Sequence, residues 1–223
     1  NDTYRESGYT YNYSQVMKAM SPCTDAAAFT NTIDSISPAG STRADYGLQL
    51  AQGQIFNRED AKKIVVFFTD GSPTSYSNFE DGVASSAVAS AKDMKDAGAT
   101  VYTIGIFNGA DPSADPTATW TSNENKFMHA VSSNYPKASY TQSWSGWNWN
   151  LDTRAEGSDF YKSASNADDL DKVFEGISSE IVKGSGYPTK VTEGAEHQDG
   201  FITIGTGATD NGMGVDTILA QIA

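Results

Sequence analysis

The apolar residues of this chain fall into short continuous runs separated by stretches with helical spacing. Residues 64–69 form one such run, which leads directly into Asp70 and Gly71, and residues 100–107 form a second. Apolar runs of this length, bounded by charged or turn residues, predict β-strands that are buried on both faces. Between them, apolar residues three or four positions apart predict a helix that ends at Gly98.

The same criteria predict the remaining elements up to about residue 183. Helices are predicted at about residues 24–36, 44–55, 127–131 and 170–181, and strands at about residues 9–13 and 159–164. Strands that alternate with helices indicate right-handed crossovers and a parallel sheet. We therefore predict an α/β fold for residues 1–183, with a doubly wound, mostly parallel, Rossmann-like sheet.

The chain changes character at Gly184. Eight of the 20 glycines lie in the last 40 residues, and the alternation in "FITIG" replaces helical spacing. We predict that residues 184–223 are a linker and the start of a β-rich C-terminal extension. Two segments, residues 108–123 and 133–158, are predicted as long loops, and loops of that length are usually functional or disordered.

Composition narrows the classes of partner. The formal net charge of −13 repels nucleic acid and anionic lipid, so we expect neither nucleic-acid binding nor membrane insertion. No apolar run approaches the roughly 20 residues that a membrane helix needs. A single cysteine, Cys23, excludes an intrachain disulfide. The abundance of Ser, Thr, Asn, Gly and Tyr is typical of an extracellular surface.

Asp70 and Thr42 are the candidate metal ligands. Asp70 ends a predicted parallel strand, and ligands bind outside the carboxyl ends of such strands. Thr42 starts the helix that feeds into the same strand, so both side chains are expected on one rim of the sheet. A hydroxyl and a carboxylate can form half of an octahedral Mg²⁺ site. Taken singly, an Asp-Gly turn and a Ser/Thr helix cap are more often purely structural.

Together the two segments resemble a known family. "AGSTRADYGLQLA" and "IVVFFTDGSPT" are similar to the second and third metal-site loops of the von Willebrand factor A domain. "VYTIGIF" and "FYKSASNADDLDKVFEGISSEI" resemble strands and a helix of the same family, so the similarity covers about residues 25–183. The resemblance implies a metal-ion-dependent adhesion site with Mg²⁺ or Ca²⁺, completed by an acidic group of the ligand. Thr42 and Asp70 would hold the metal, and Ser41, Gly71 and Ser72 would contact the ligand.

One motif of the family is missing. The first metal-site loop, Asp-x-Ser-x-Ser, does not occur upstream of Thr42. In the family this motif ends a strand in the middle of the sheet. Either the sequence is a fragment, whose missing strand comes from a preceding segment or another chain, or the fold is altered and the metal site is lost. The fragment is favoured, because a sheet without its middle strand exposes unpaired backbone edges.

A tryptophan-rich segment is a second candidate binding surface. Trp144, Trp147 and Trp149 fall within one predicted loop, "YTQSWSGWNWN". Exposed aromatic rings can stack on sugars or anchor a protein partner. The alternative, which we favour slightly, is a small cluster that packs beneath its own loop. A calcium site is a further candidate, formed by Asp111, Asp115, Asp168, Asp169 and Asp171. Their spacing does not match the EF-hand loop, so a solvated acidic surface is the favoured interpretation.

The expected function is that of a binding module. The segment "GSGYPTKVTEG" is similar to large surface proteins of Gram-positive bacteria, which place this domain in adhesins or at pilus tips. This similarity implies a cell-wall or pilus location, and a protein or glycan on a host cell or matrix as the ligand. Other pilus or surface subunits are further expected partners. The alternative is a metal-free structural or assembly module of a surface fibre. A metal-assisted hydrolase is the least favoured class, and we expect no enzymatic activity.

Overall fold

The structure is a computed structural model that describes most of the chain. The described residues are 3–6, 9–12, 14–22, 25–36, 42–55, 62–75, 78–157, 159–184, 201–207 and 217–222. The strands are β1 (Thr3–Glu6), β2 (Tyr9–Asn12), β3 (Ser14–Pro22), β4 (Ile64–Thr69), β5 (Thr100–Gly105), β6 (Ser139–Ser143), β7 (Gly146–Asn150), β8 (Tyr161–Ser163), β9 (Phe201–Gly207) and β10 (Thr217–Ile222). The helices are α1 (Ala26–Asp34), α2 (Ala44–Ile55), α3 (Asp81–Asp96), α4 (Asn123–Val131) and α5 (Ala167–Gly184).

The central sheet contains six strands in the order β3-β9-β10-β4-β5-β8. β4 pairs in parallel with β5, and β5 pairs in parallel with β8. The other half of the sheet is antiparallel, because β10 runs against both β4 and β9, and β9 runs against β3. The predicted α/β fold is confirmed, and the parallel pairing lies in the strands that the apolar runs predicted.

The strands after Gly184 belong to this central sheet. β9 and β10 pair in antiparallel orientation, and β10 also pairs with β4, on the edge opposite to β5. The proposed boundary between a domain ending at residue 183 and an extension stays a prediction.

Helices cover both faces of the parallel strands. Val65 and Phe67 of β4 pack on one side with α2, α3 and α4 in the main core. Ile64 and Val66 pack on the other side with Ile177 of α5. Both faces of β4 are therefore buried, which explains why its sequence is continuously apolar rather than alternating.

The helix α3 ends close to Gly98, as the sequence predicts. Gly98 has a φ of 84°, a left-handed conformation that costs a side chain-bearing residue free energy but suits glycine. The Gly98 amide donates to the Lys95 carbonyl and the Ala99 amide donates to the Met94 carbonyl, at 3.0 and 2.9 Å. These bonds satisfy carbonyls at the end of the helix and turn the chain toward β5.

The longest described helix, α5, is amphipathic. Its apolar side, centred on Ile177, packs against the sheet, and acidic and basic residues lie on its exposed side. Within the described part of the chain, no helix combines the length and apolar character needed to cross a bilayer.

The prediction of an unstructured loop at residues 133–158 is wrong. This segment contains the hairpin β6–β7, in which Tyr140 pairs with Trp149. The two rings stack with centroids 3.8 Å apart, and the Ser85 hydroxyl donates to the Tyr140 carbonyl at 2.6 Å. The aromatic residues of this segment are separated by Ser, Asn and Gly, so the sequence lacks the apolar runs typical of a buried strand. The two strands are stabilised by packing against α3 rather than by burial of both faces.

A buried histidine lies at the end of α4. His129 is 1% exposed, and its ring lies edge-on to Tyr135 and Tyr161, at centroid distances of 5.9 and 5.0 Å. Asn134 donates through Nδ2 to Asp159 and accepts at Oδ1 from the Phe160 amide. This orientation presents Nδ2 to His129 Nδ1 at 3.2 Å, which favours the neutral ring. Burial, followed by the charge of Arg154, lowers the pKa of His129 to about 4.

Stability is therefore expected to fall as the pH drops from about 6.5 to about 4. In this window the unfolded state binds a proton at His129 that the folded state does not, so protonation favours unfolding. The contribution reaches about 3 kcal/mol at the acid end. Urea denaturation at several pH values should show a shallower acid-side slope for His129→Gln than for the wild type. Equal slopes in the two proteins would contradict this assignment.

Candidate functional site

The carboxyl ends of β4 and β5 place two loops side by side. Thr69 and Gly105 are register partners at the ends of the two strands. One residue later, the Ile106 amide donates to the Thr69 carbonyl at 3.0 Å. The segments that begin at Asp70 and Ile106 therefore leave the sheet together, at the edge where open parallel sheets bind ligands.

Thr42 lies against the loop that carries Asp70. Its carbonyl accepts a hydrogen bond from the Thr74 amide at 2.9 Å, and its side chain is 3% exposed. A Cβ atom placed on Gly71 would lie 3.2 Å from Thr42 Oγ1. The structure thus places Thr42 next to Gly71 and Thr74, in the loop that Asp70 begins and to which Ser72 belongs. Ser41 lies outside the described residues.

The loop after β4 is held by several hydrogen bonds. The Gly71 amide donates to Thr69 Oγ1 at 3.2 Å, and Ser72 Oγ donates to Glu124 Oε1 at 2.7 Å. Further along, the Ser75 amide and hydroxyl both donate to the carboxylate of Glu80. These bonds tie the loop to α4 and to the residue that precedes α3, so the position of Asp70 is fixed by its own segment.

An ion pair fixes the first turn of α2 beside Thr42. Arg43 donates two hydrogen bonds to the carboxylate of Asp45, at 2.9 and 2.7 Å. Its guanidinium also lies 3.7 Å from the centroid of the Tyr46 ring. Burial opposes the charge of Arg43, but the hydrogen bond and attraction from Asp45 outweigh it and hold the pKa above its usual range. Two-point binding of this kind orients the Thr42 turn as well as neutralising charge.

A cleft of about 670 Å³ opens between these loops and the start of α4. Its lining comes from three segments: Asp70, Gly71 and Ser72; Phe107, Asn108, Gly109, Asp111, Ala114 and Asp115; and Trp120, Thr121, Ser122, Glu124 and Asn125. Trp120 is 86% exposed. The candidates singled out from the sequence do not include Trp120, Glu124 or Asn125. The available signal was the long segment 108–123, which directly follows a buried strand.

Asn125 anchors this long segment. It is 5% exposed, and its Oδ1 accepts from the Asp111 amide at 2.9 Å and from the Tyr161 hydroxyl at 2.7 Å. Its Nδ2 donates to the Gly109 carbonyl at 2.9 Å. Both polar atoms of one buried side chain thus attach the loop to β8 and α4, so the wall of the cleft is a defined structure rather than a mobile excursion.

The three tryptophans singled out from the sequence lie on the β6–β7 hairpin. Trp147 and Trp149 are half-buried against Tyr140 and the main core. Trp149 also donates from Nε1 to Asn123 Oδ1 at 3.3 Å. Trp144 occupies the turn and is 100% exposed. None of the three is among the residues that line the cleft, and their role in ligand binding stays a prediction.

The donor atoms at Thr42 and Asp70 fit a hard divalent cation. Mg²⁺ and Ca²⁺ prefer oxygen ligands, and Mg²⁺ is commonly held by few protein groups with several waters. Gly71 allows the hydroxyl-bearing turn to approach closely, since a side chain there would crowd Thr42 Oγ1. In the described ranges, no three His, Cys, Asp or Glu residues group as a metal site. Hydroxyl, water or ligand oxygens would therefore have to complete the coordination.

The family assignment follows from a comparison with protein families. The family described as von Willebrand factor type A domain matches residues 6–141, well over half of the chain. The chain belongs to this family. No curated protein and no solved structure matches it. Domains of this family act as protein-interaction modules, and the matched span includes Thr42, Asp70 and the whole lining of the cleft.

In this von Willebrand factor type A domain, Gly105 lies at the end of β5, where the neighbouring side chains leave no room for a larger residue. A Cβ atom at this position would lie 2.9 Å from the Phe107 ring, 3.1 Å from Ala110 Cβ and 3.1 Å from the Tyr161 hydroxyl. The Tyr161 hydroxyl is the group that binds Asn125. A larger residue would consequently push against the anchor of the cleft loop.

Gly105→Ala is expected to destabilise the protein by about 1–3 kcal/mol through overpacking. The matched control is Gly176→Ala, at a site where an added Cβ meets nothing within 4 Å inside α5. That change should be neutral or stabilising by up to about 1 kcal/mol. Urea denaturation of both variants measures the difference, and a stable Gly105→Ala protein would disprove the crowding.

Proposed function

We propose that this chain is an extracellular binding module of a bacterial surface adhesin or pilus protein, and that it holds its ligand through a metal-ion-dependent adhesion site. The observation that carries the proposal is the packing of the Thr42 hydroxyl on Gly71, next to Asp70, at the rim of the sheet. The family assignment supports a role in protein interaction.

In this proposal Thr42 and Asp70 hold Mg²⁺ or Ca²⁺. The bound ion would supply positive charge that attracts an acidic group of the ligand. Thr42 contributes a hydroxyl oxygen from a buried turn, and Asp70 contributes a carboxylate from the end of β4. Ser72, through its hydrogen bond to Glu124, maintains the loop shape that presents Asp70 to the cleft.

We further propose that the site binds without turnover. A metal-assisted hydrolase needs a general base within hydrogen-bond reach of the reacting group. His129 does not meet this requirement, because it is 1% exposed and packs between two tyrosine rings. The carboxylates in the cleft can attract a partner without catalysing a reaction.

The proposed location and partners rest on sequence. The similarity of "GSGYPTKVTEG" to surface proteins of Gram-positive bacteria and the polar, acidic composition support a cell-wall or pilus location. The proposed ligand is a protein or glycan on a host cell or matrix, with other surface subunits as further partners. Apart from Gly184, the last residue of α5, the segment lies outside the described residues.

Calorimetric titration with MgCl₂ and CaCl₂ tests the metal site. The wild type should bind at least one of the ions, and Asp70→Ala should weaken binding about tenfold or more, since it removes a charged ligand. Thr42→Val keeps the shape of the side chain but removes the hydroxyl, so it should also weaken binding. Thr42→Ser retains the hydroxyl and should bind like the wild type.

The same experiment separates the proposal from its alternative. Equal binding by the wild type and Asp70→Ala would place the ion elsewhere and refute the assignment. Absence of binding by the wild type would favour a metal-free structural module of a surface fibre. Circular dichroism and urea denaturation of each variant would show that a loss of binding is not a loss of folding.

A further inference from the structure

The charged residues that line the cleft beside Asp70 are all acidic. Four carboxylates line it, from Asp70, Asp111, Asp115 and Glu124, and the described lining includes no lysine, arginine or histidine. The chain as a whole also carries a net charge of −13. A concave surface lined by one sign of charge concentrates its field and raises the local concentration of oppositely charged groups.

Two of these carboxylates are held in place by the loop. Asp111 Oδ1 accepts from the Ser113 amide and hydroxyl, at 2.9 and 2.6 Å. Asp115 Oδ1 accepts from the Thr117 amide and hydroxyl, at 2.9 and 2.7 Å. The serine and threonine hydroxyls, followed by the amides, keep the pKa of each carboxyl below its usual range. Both groups therefore stay charged and keep a fixed orientation.

Trp120 adds an aromatic surface to the same cleft. Its side chain is 86% exposed, although Ala118, two residues before it, and Thr121, directly after it, are buried. The Thr121 hydroxyl donates to the Asp115 carbonyl, which fixes the backbone next to the ring. The indole is thus held toward solvent by an ordered loop. Exposed tryptophans in such positions are frequent anchors of protein interfaces.

The combination selects a particular side chain of a partner. A cation is attracted to the face of an indole ring, and tryptophan is the strongest aromatic partner for this interaction. A guanidinium is planar, stacks on aromatic rings and donates hydrogen bonds to carboxylates, whereas an ammonium is compact and strongly hydrated. Carboxylates and an exposed indole in one cleft therefore match arginine better than any anionic or apolar group.

We propose that this cleft binds an arginine side chain of a protein partner, with its guanidinium against Trp120 and the carboxylates of Asp111 and Asp115. The inference rests on the proposed function in so far as this arginine would lie next to the partner's metal-bound acidic group. The partner would then present an arginine and an acidic residue close together. The arginine subsite itself needs no metal.

NMR titration with the tripeptide acetyl-Ala-Arg-Ala-amide, in EDTA and at low salt, tests the subsite. The Trp120 indole N–H resonance, assigned by its loss in Trp120→Phe, should shift with peptide concentration. The Trp144 indole, which is fully exposed outside the cleft, provides an internal reference and should not shift. Replacing arginine with citrulline preserves the shape but removes the charge, so the citrulline peptide should not bind.

Two variants isolate the contributing groups. Trp120→Ala should weaken arginine binding about threefold, whereas Trp144→Ala should leave it unchanged. Asp111→Asn with Asp115→Asn keeps acceptors for Ser113 and Thr117 but removes two charges, and should weaken binding about fivefold. Asp168→Asn with Asp171→Asn removes the same charge from the exposed side of α5 and should have little effect.

The outcomes distinguish this inference from the proposed metal site. Selective, EDTA-resistant binding of the arginine peptide supports the subsite even if Mg²⁺ and Ca²⁺ do not bind. No shift of the Trp120 resonance, or equal shifts with arginine and citrulline, overturns the subsite and leaves the metal titration unaffected. Equal weakening by the two double variants also overturns it, because binding would then follow net charge alone.

Discussion

The hydrogen bond between the Thr74 amide and the Thr42 carbonyl joins two loops that are distant in sequence. It attaches the start of α2 to the segment after β4, and Gly71 allows the contact because it presents only backbone to Thr42 Oγ1. Everything proposed for the rim depends on this contact, since a hydroxyl and a carboxylate must approach each other before they can share a ligand. The parallel pairing of β4 and β5 then places the cleft beside them.

Burial on both faces made the central strands and helices predictable. The continuous apolar run of β4 reflects its position between two packed layers, and Gly98 marks the end of α3 through its left-handed backbone conformation. The approach of Thr42 to the loop after β4 was also predictable, because strand direction determines which loops share an edge. For these elements the local pattern of apolar residues and glycines was sufficient to predict the secondary structure, because the tertiary environment favours the same structure.

Other features depend on tertiary contacts that leave little trace in the local sequence. The β6–β7 hairpin has polar and aromatic residues without a simple period, and its packing against α3 decides its structure. The position of β10 next to β4 was not predictable from the alternation after Gly184, since alternation indicates a strand but not its neighbour. Trp120 could not be singled out from the sequence, because the cleft that it lines is formed by three separate segments.

The attachment of the cleft loop through Asn125 has an evolutionary consequence. The bonds from Asn125 to Gly109, Asp111 and Tyr161 secure the beginning of the loop to the framework. Exposed positions between Asp111 and Trp120 contribute little to the core, so substitutions there change the chemistry of the surface at small cost to folding. Related proteins can therefore differ in binding specificity at this loop while they retain the same fold.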